Sequence, residues 1–167
     1  MSQFNVRVYC LLVSQGKLLV SDEYIKGAFY TKLPVGGLEL GEGTRDCLVR
    51  EFKEETGLSI EVGAHLYTTD FNQMSAFDAN EQIISIYYWV HCKDLSGLKT
   101  NTKAFDFEGE ENRNPDRDLE VNRWVDFQDI DEQLMSLPID QQVMQLIVRQ
   151  RPVAAAATQP ATHSTTQ

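Results

Sequence analysis

A glycine-rich loop that runs into a short amphipathic segment, residues 36–58, restricts the fold of this chain more than any other stretch. Its first eight residues contain four glycines, which allow the backbone to approach a ligand closely. The second half predicts a helix, with Thr44 as the N-cap and Gly57 as the left-handed residue that ends it. Leu48 and Phe52 lie one turn apart, so one face of this helix can be buried.

Another face of the predicted helix carries three acids. Glu51, Glu54 and Glu55 are spaced i, i+3 and i+4, which places their Cβ atoms about 5–6 Å apart. At an effective dielectric of about 20, two charges at that distance repel each other by about 3 kcal/mol. Such a face either points into solvent, as charged helix faces usually do, or holds cations between its carboxylates. The preceding loop favours the second reading, because Mg²⁺ is commonly held by a few carboxylates together with substrate phosphates.

The same stretch resembles the Nudix box, whose pattern is Gly, five residues, Glu, seven residues and then Arg-Glu-U-x-Glu-Glu-x-Gly-U, where U is bulky and aliphatic. Gly36, Glu42 and residues 50–58 match this pattern at every charged and glycine position. Phe52 departs from it at one aliphatic position. Upstream, residues 34–39 resemble the family loop Pro-Gly-Gly-Gly-Leu-Glu, with Val35 in place of the first glycine.

The resemblance implies an α/β (α+β) domain with a mixed β-sheet sandwiched between helices. It also implies a metal-dependent hydrolase that cleaves a phosphoanhydride bond with Mg²⁺, for which Mn²⁺ can substitute. In the family, the positions of Glu51, Glu54 and Glu55 are metal ligands, and the position of Val35 can offer its backbone carbonyl. The base varies between members, so Glu51 and Glu54 are both candidates, with Arg50 expected to orient a glutamate by a forked hydrogen bond.

Seven further positions are candidates for the same site. Glu42 is expected to tie the loop to the helix, or to pair with Arg50 for stability alone. A late acid often completes such sites, and Glu120 and Asp118 are the candidates here. Lys32 and Arg7 precede the box on predicted strands and either contact phosphate or are solvated surface charges. Gly36 and Gly37 are expected to bring backbone against the substrate.

Charge and composition exclude several classes of protein. The 167-residue chain has a net charge of -10, whereas nucleic-acid and membrane-surface binders normally carry a basic stripe. No apolar run approaches the length of a membrane-spanning helix, and the N-terminus does not have the pattern of a secretory signal. Cys10, Cys47 and Cys92 are odd in number and widely spaced, which indicates reduced thiols in the cytoplasm. A homodimer remains open.

The periodicity predicts one domain over residues 1–151, with a low-complexity, disordered tail over residues 152–167. A β-hairpin is predicted at residues 4–13 and 17–21, and an exposed connection at residues 96–118. Residues 71–78 form a predicted loop whose aromatic side chains either stack on a base or pack within the protein. The remaining predicted elements are strands at residues 29–33, 59–70, 82–92 and 119–127, and helices at residues 129–137 and 138–151.

The substrate class follows from the resemblance alone. Family members favour a nucleoside diphosphate linked to another moiety, so nucleotide, nucleotide-sugar and ADP-ribose substrates remain open. Two alternatives also remain. The first is a Nudix-fold module that senses a nucleotide without catalysis, which would be favoured by degenerate acids in the box. The second is an isoprenoid diphosphate isomerase, which requires a catalytic cysteine; Cys47 lies on the buried-type face of the predicted helix and does not suit that role.

Overall fold

Seven strands and two α-helices make up the part of the chain that the computed structural model describes, residues 2–107 and 118–150. In chain order the elements are β1 (Gln3–Ser14), β2 (Lys17–Ile25), β3 (Ala28–Lys32), β4 (Val35–Gly37), α1 (Thr44–Thr56), β5 (Glu61–Thr68), β6 (Glu81–His91), β7 (Leu119–Asp126) and α2 (Pro138–Arg149). The predicted hairpin is confirmed, although its second strand is longer than expected and continues to Ile25. No helix among these residues is long and apolar enough to cross a membrane.

The strands form a mixed sheet in the order β3–β2–β1–β6–β5, with β4 paired to β1 and β7 paired to β2. β1 and β6 are parallel, and the other strand pairs are antiparallel. β1 and β2 pair only beside their turn, through Val13 with Leu18 and Ser14 with Lys17. Beyond this point β1 pairs with β4 and β6, whereas β2 pairs with β3 and β7. The sheet therefore divides into two parts that separate from a common hairpin.

Each helix covers one face of the sheet, which confirms the predicted sandwich. Alternate residues of β1 point to opposite faces, so the strand contributes to both cores. On the α1 side, the buried set includes Cys47, Leu48, Phe52, Val8, Cys10 and Leu12. On the α2 side, it includes Ile139, Val143, Met144, Ile147, Tyr9 and Leu11. Full burial of each of these large apolar side chains stabilises the fold by about 1.5–3 kcal/mol.

The start of α1 differs from the prediction by one residue. Gly43, rather than Thr44, is the N-cap, and its backbone N–H donates to Asp46 Oδ2 at 3.2 Å. The hydroxyl of Thr44 instead lies 2.9 Å from the hydroxyl of Tyr88 on β6, so it is not available to cap the helix. The end of α1 is as predicted: Gly57 has φ 76° and donates its N–H to the carbonyl of Lys53.

The predicted helix at residues 129–137 is wrong. Two single 3₁₀ turns, Phe127–Asp129 and Glu132–Leu134, replace it. The carboxylate of Asp131 accepts the N–H groups of Gln133 and Leu134, which closes a local turn. Ser136 then bonds to the edge of β3: its N–H donates to the Thr31 carbonyl, and its hydroxyl accepts the Thr31 N–H. Because the N–H of Ser136 is bonded to a strand distant in sequence, it is not available for a helical hydrogen bond.

The prediction of an exposed connection at residues 96–118 is confirmed for Ser96, Gly97, Lys99 and residues 102–104, but it is wrong for the aromatic residues that follow. Phe107 is buried, and the rings of Phe105 and Phe107 contact Phe29 on β3, with centroids 5.2 and 6.3 Å away. Leu98 packs against the core on the α1 side. Residues 108–117 and the predicted tail at residues 152–167 lie outside the described residues.

A buried ion pair joins β2 to β7. The guanidinium of Arg123 forms two hydrogen bonds with the carboxylate of Asp22, at 2.6 and 3.0 Å. Asp22 has no exposed surface, and it also accepts the hydroxyl of Thr31 and the backbone N–H of Phe105. Every hydrogen-bonding direction of this carboxylate is therefore used, and the pair also fixes the start of the segment that packs on Phe29.

A second buried carboxylate lies in the first turn of α2. Asp140 has no exposed surface, and its Oδ1 accepts a hydrogen bond of 2.7 Å from the hydroxyl of Tyr87. Its Oδ2 has no partner among the described residues. Burial raises the pKa of Asp140 from 3.8 to about 6, although the Tyr87 hydrogen bond and the charge of Lys32 oppose this change. At neutral pH the native protein therefore holds an ionised carboxylate in a poorly solvating environment.

The raised pKa of Asp140 predicts a pH dependence of stability. Because the native pKa of about 6 exceeds the unfolded value of 3.8, the stability linked to Asp140 is complete below pH 3.8 and is lost as the pH rises to about 6. Between about pH 4.5 and about pH 7.5, we expect the wild type to lose about 2 kcal/mol more unfolding free energy than Asp140→Asn, which cannot ionise. Denaturant titrations of both proteins at the two pH values measure this difference. Parallel pH profiles would contradict the expectation.

Candidate active site

A cavity of about 500 Å³ lies where the two parts of the sheet separate. Its walls come from β1, β2 and β7, from residues 73–77, and from residues 137–139 at the start of α2. Residues of both charge types line the cavity. Arg7 and Lys32 are basic, and Glu23 and Glu120 are acidic. Both predicted phosphate contacts and both predicted late acids, Asp118 and Glu120, thus line the same cavity.

Arg50 connects the loop of the box to its helix. Its Nη1 lies 2.9 Å from Glu51 Oε1 and 3.3 Å from Glu54 Oε2. Its Nε and Nη2 bind the carboxylate of Glu42 at 3.0 and 2.7 Å, and Nη2 also donates to the Gly37 carbonyl. The Arg50 hydrogen bonds hold the pKa of Glu42 down at about 2, so Glu42 stays ionised over the whole neutral range. Arg50 therefore binds protein groups on every side, and Glu42 joins the loop to the helix.

Gly36 and Gly37 contact Glu51. The N–H of Gly37 donates to Glu51 Oε1 at 3.2 Å. A Cβ atom on Gly36 would lie 2.1 Å from Glu51 Cγ and 2.7 Å from its Cβ, so only a glycine lets the helix approach this closely. In this arrangement Gly36 and Gly37, the two predicted substrate-binding glycines, hold Glu51 in place.

The close approach at Gly36 gives a direct test. Gly36→Ala is expected to lower the unfolding free energy by about 1–3 kcal/mol, because the added methyl group must displace Glu51 and the helix behind it. Gly37→Ala is the matched control, since its Cβ would meet only Arg7 Nη1 at 3.4 Å, an ordinary contact. Thermal and denaturant unfolding of the two variants measure the difference. Equal stabilities would show that α1 yields without strain at Gly36.

Glu55, the last glutamate of the box, lies near other acids. Desolvation, followed by repulsion from Glu120, Glu51 and Glu23, raises the pKa of Glu55 to about 8. Desolvation and the charge of Glu23 also raise the pKa of Glu120 above its ordinary value. Both side chains keep contact with solvent. The ionised forms of these carboxylates therefore lack sufficient positive charge around them, and a cation can reach them.

Glu23 is the functional candidate that the sequence did not reveal. It lies on β2 directly opposite Glu120 on β7, and it is 8% exposed. Its Oε2 lies 2.7 Å from Lys32 Nζ, and its Oε1 lies 3.2 Å from the hydroxyl of Ser21. The signal available was the pair Asp22-Glu23 in a strand that begins with the apolar run Leu18-Leu19-Val20, because carboxylates are rarely buried unless they are paired.

The two predicted basic residues differ in their partners. Lys32 is not a solvated surface charge, because its side chain is 9% exposed and pairs with Glu23. Arg7 lines the cavity, and among the described residues it forms no salt bridge. A partly buried guanidinium without a carboxylate partner is suited to bind an anion such as a phosphate.

The remaining predicted ligands lie at the edges of the site. Val35 faces Tyr9 of β1 at a position between two hydrogen-bonded pairs, so its carbonyl points away from β1. Its φ is not positive, and a valine is therefore accommodated there. Asp118, which directly precedes β7, lines the cavity. Its Oδ1 lies 3.4 Å from the backbone nitrogen of Lys26 in the turn after β2. Of the two late acids, Glu120 is the one that interacts with Glu55 and Glu23.

The two aromatic residues of the predicted loop differ in their position relative to the cavity. Phe77 lines the cavity, its ring meets Tyr30 edge-on at 5.3 Å, and Lys26 Nζ lies 5.9 Å from its centroid. Phe71 is 40% exposed and does not line the cavity. Phe77 therefore packs within the protein and also lines the cavity.

The carboxylate oxygens of the box and of Glu120 are chemically suited to a hard divalent cation, although they do not surround a single point in this structure. Among residues 2–107 and 118–150, no three His, Cys, Asp or Glu side chains form a ready metal cage. Arg50 holds Glu51 and Glu54, whereas Glu55 and Glu120 lie beside each other without a basic partner in the described chain. Mg²⁺ and Mn²⁺ prefer oxygen ligands such as carboxylates, and the carboxylates of Glu55 and Glu120 are available for them.

Sequence comparison links most of the chain to one family. A family model described as the NUDIX domain matches residues 1–147. Phosphatase NudJ from Escherichia coli K12 and from Shigella flexneri is 39% identical to this chain over 57 residues. That match covers 34% of this chain and 37% of the length of these curated relatives.

Solved structures share the fold over nearly the whole chain. The E. coli ORF135 protein has a TM-score of 0.63 and 18% identity, with 93% of this chain and 96% of that chain covered. The MutT protein from Methanosarcina mazei Go1 has a TM-score of 0.59 and 17% identity, with coverages of 90% and 96%. A NUDIX hydrolase from Nitrosomonas europaea has a TM-score of 0.57 and 19% identity, with coverages of 99% and 98%.

Proposed function

Because the chain belongs to the Nudix family, we propose that it hydrolyses the pyrophosphate bond of a nucleoside diphosphate linked to a further moiety, with Mg²⁺ as its cofactor. Nucleotides, nucleotide-sugars and ADP-ribose-type compounds are the substrate classes, and Mn²⁺ is the substitute ion. All three cysteines are free and buried, which suits a cytoplasmic protein.

One observation supports this proposal most strongly. The carboxylates of Glu55, Glu120 and Glu23 repel one another beside a cavity that also contains Arg7 and Lys32. An acidic cluster alone would repel a diphosphate, and a basic cavity alone would not hold a metal ion. The combination suits a ligand that arrives with divalent cations and presents phosphate oxygens to an arginine.

The roles of the protein groups follow from their contacts. Bound to these carboxylates, a divalent ion would neutralise the diphosphate oxygens and lower the pKa of a water molecule. Arg50 fixes Glu51 through a hydrogen bond of 2.9 Å, and Gly37 adds a backbone N–H to the same oxygen. Glu51 or Glu54 is the proposed base, since both carboxylates are held by Arg50 at the box helix. Arg7 binds the phosphate, and Glu120 completes the ligand set together with Glu55 and the Val35 carbonyl.

The isomerase alternative is disfavoured by the position of its required thiol. Cys47 is fully buried on the core face of α1 and does not line the cavity. Desolvation, followed by the charge of Glu42, raises its pKa to about 12, so the thiolate is scarce at neutral pH. A sensing module without catalysis would not need the complete set of box acids that this chain has.

A substrate screen with chromatographic separation of the products tests the proposal, because cleavage of a nucleotide-sugar or of ADP-ribose gives two phosphomonoesters and no free phosphate. The full chain is incubated with nucleotide-sugars, ADP-ribose, nucleoside triphosphates and an isoprenoid diphosphate, with Mg²⁺ or Mn²⁺ and with EDTA. We expect turnover of at least one nucleoside diphosphate derivative that EDTA abolishes. Binding of a nucleotide without turnover would favour the sensing module, and conversion of the isoprenoid diphosphate would favour the isomerase.

A further inference from the structure

The wall of the cavity contains an ion pair between neighbouring strands. Lys32 Nζ at the end of β3 lies 2.7 Å from Glu23 Oε2 on β2, and the two side chains are 9% and 10% exposed. The desolvation of two buried charges largely cancels their mutual attraction, so stability alone does not account for such a pair. Its position beside the ligand-binding carboxylates suggests a role in binding.

Glu23 also competes with Glu120 for one hydroxyl group. Ser21 Oγ lies 3.2 Å from Glu23 Oε1 and 2.9 Å from Glu120 Oε1. A hydroxyl has a single proton, so it can donate to only one of these carboxylates at a time. Glu23 and Glu120 are directly opposite each other on β2 and β7, where like charges repel. The wall therefore presents more carboxylate oxygen than its own donors satisfy.

The two ligands of the proposed reaction would pull this pair apart. A divalent cation attracts Glu23 away from Lys32, and a phosphate group attracts Lys32 away from Glu23. Each ligand would have to displace the internal partner if it arrived alone. When both are present, each freed side chain has a ligand of the opposite charge.

We propose that Glu23 is a latent ligand of the divalent cation, held by Lys32 until a phosphate of the substrate takes its place. The proposal rests on the proposed function and extends it. Before substrate arrives, Glu23 positions Lys32 toward the cavity; afterwards, it adds a carboxylate to Glu55 and Glu120. Cation binding and phosphate binding are thereby coupled, and each is weaker without the other.

Affinities for the two ligands taken separately test this exchange in the full-length protein. Calorimetry with Mn²⁺ alone is expected to show binding about fivefold tighter or more in Lys32→Met, because Glu23 is released. Calorimetry with inorganic phosphate alone is expected to show a gain of about the same size in Glu23→Gln, because Lys32 is released. Lys32→Arg, which keeps the pair, should resemble the wild type in both titrations.

The double variant Glu23→Gln/Lys32→Met separates exchange from simple electrostatics. Removal of a nearby positive charge would tighten Mn²⁺ binding whether or not Glu23 can ionise, so a gain that persists in the Glu23→Gln background overturns the proposal. Loss of that gain in the double variant supports it. If Lys32→Met does not fold, the phosphate titration of Glu23→Gln decides, and unchanged affinity there overturns the proposal. Neither titration involves hydrolysis, so inactivity in the substrate screen would refute the proposed function without altering these results.

Discussion

Glu55→Gln is expected to reduce hydrolysis by about a thousandfold, which corresponds to about 4 kcal/mol of transition-state stabilisation. Glu55 faces Glu120 and Glu23 without a basic partner in the described chain, so its charge is used by the ligand rather than by the fold. Glutamine keeps the volume and removes the repulsion, so the unfolding free energy at pH 8 should be unchanged or higher. Steady-state kinetics on the substrate found in the screen, with denaturant unfolding alongside, measure both quantities.

The matched control for Glu55→Gln is Glu61→Gln on β5, where the carboxylate is exposed and pairs with Lys93 on the surface. That variant should retain full activity. Glu54→Gln, which removes a carboxylate that Arg50 binds at 3.3 Å, is also expected to abolish activity without unfolding the protein. Turnover at the wild-type rate by Glu55→Gln would contradict the assignment of this residue as a metal ligand.

Arg123→Met is expected to destabilise the fold by about 3–5 kcal/mol, because it leaves the buried carboxylate of Asp22 without a cation. Asp22 has no exposed surface, and two of its hydrogen bonds come from Arg123 at 2.6 and 3.0 Å. At about 2–4 °C per kcal/mol for a chain of this size, the melting temperature should fall by roughly 10 °C. Differential scanning calorimetry measures the change.

Lys93→Met provides the comparison for Arg123→Met, since it also removes a cation from a salt bridge. The side chains of Lys93 and Glu61 are 78% and 63% exposed, and an exposed pair of this kind contributes about 0–1 kcal/mol. The addition of Asp22→Asn to Arg123→Met should restore part of the lost stability, because the unpaired charge is removed. Similar melting temperatures for Arg123→Met and Lys93→Met would mean that the buried pair is no more important than the surface one.

The box could be predicted from sequence because its geometry is local. The acids of α1 are placed by helical spacing, and Gly57 ends the helix through its own left-handed conformation. Glu42 and Arg50 are eight positions apart and meet because one short loop joins them to a single helix. These relations need no knowledge of distant strands, so a pattern within residues 36–58 was sufficient.

Glu23 and the contact of Ser136 with β3 could not be predicted in the same way. Ser21 and Glu120 are 99 positions apart and meet only through the pairing of β2 with β7. The predicted helix at residues 129–137 failed for a similar reason, because Ser136 bonds to Thr31, 105 positions earlier. Helix propensity was overridden by an open strand edge that periodicity does not reveal.

The parallel pairing of β1 with β6 has a consequence for the synthesis of the protein. Each of residues 3–12 of β1 pairs with one 78 positions later, from Gln3 with Glu81 to Leu12 with Val90. β1 is therefore synthesised long before its parallel neighbour exists, and closure of so long a loop is slow. During that interval β2 and β4 are the strands among the described residues that can pair with β1, and α1 can cover one of its faces. A nascent chain that ends before β6 consequently lacks the central strand pair of the sheet, and an unpaired strand edge of this kind is prone to aggregate.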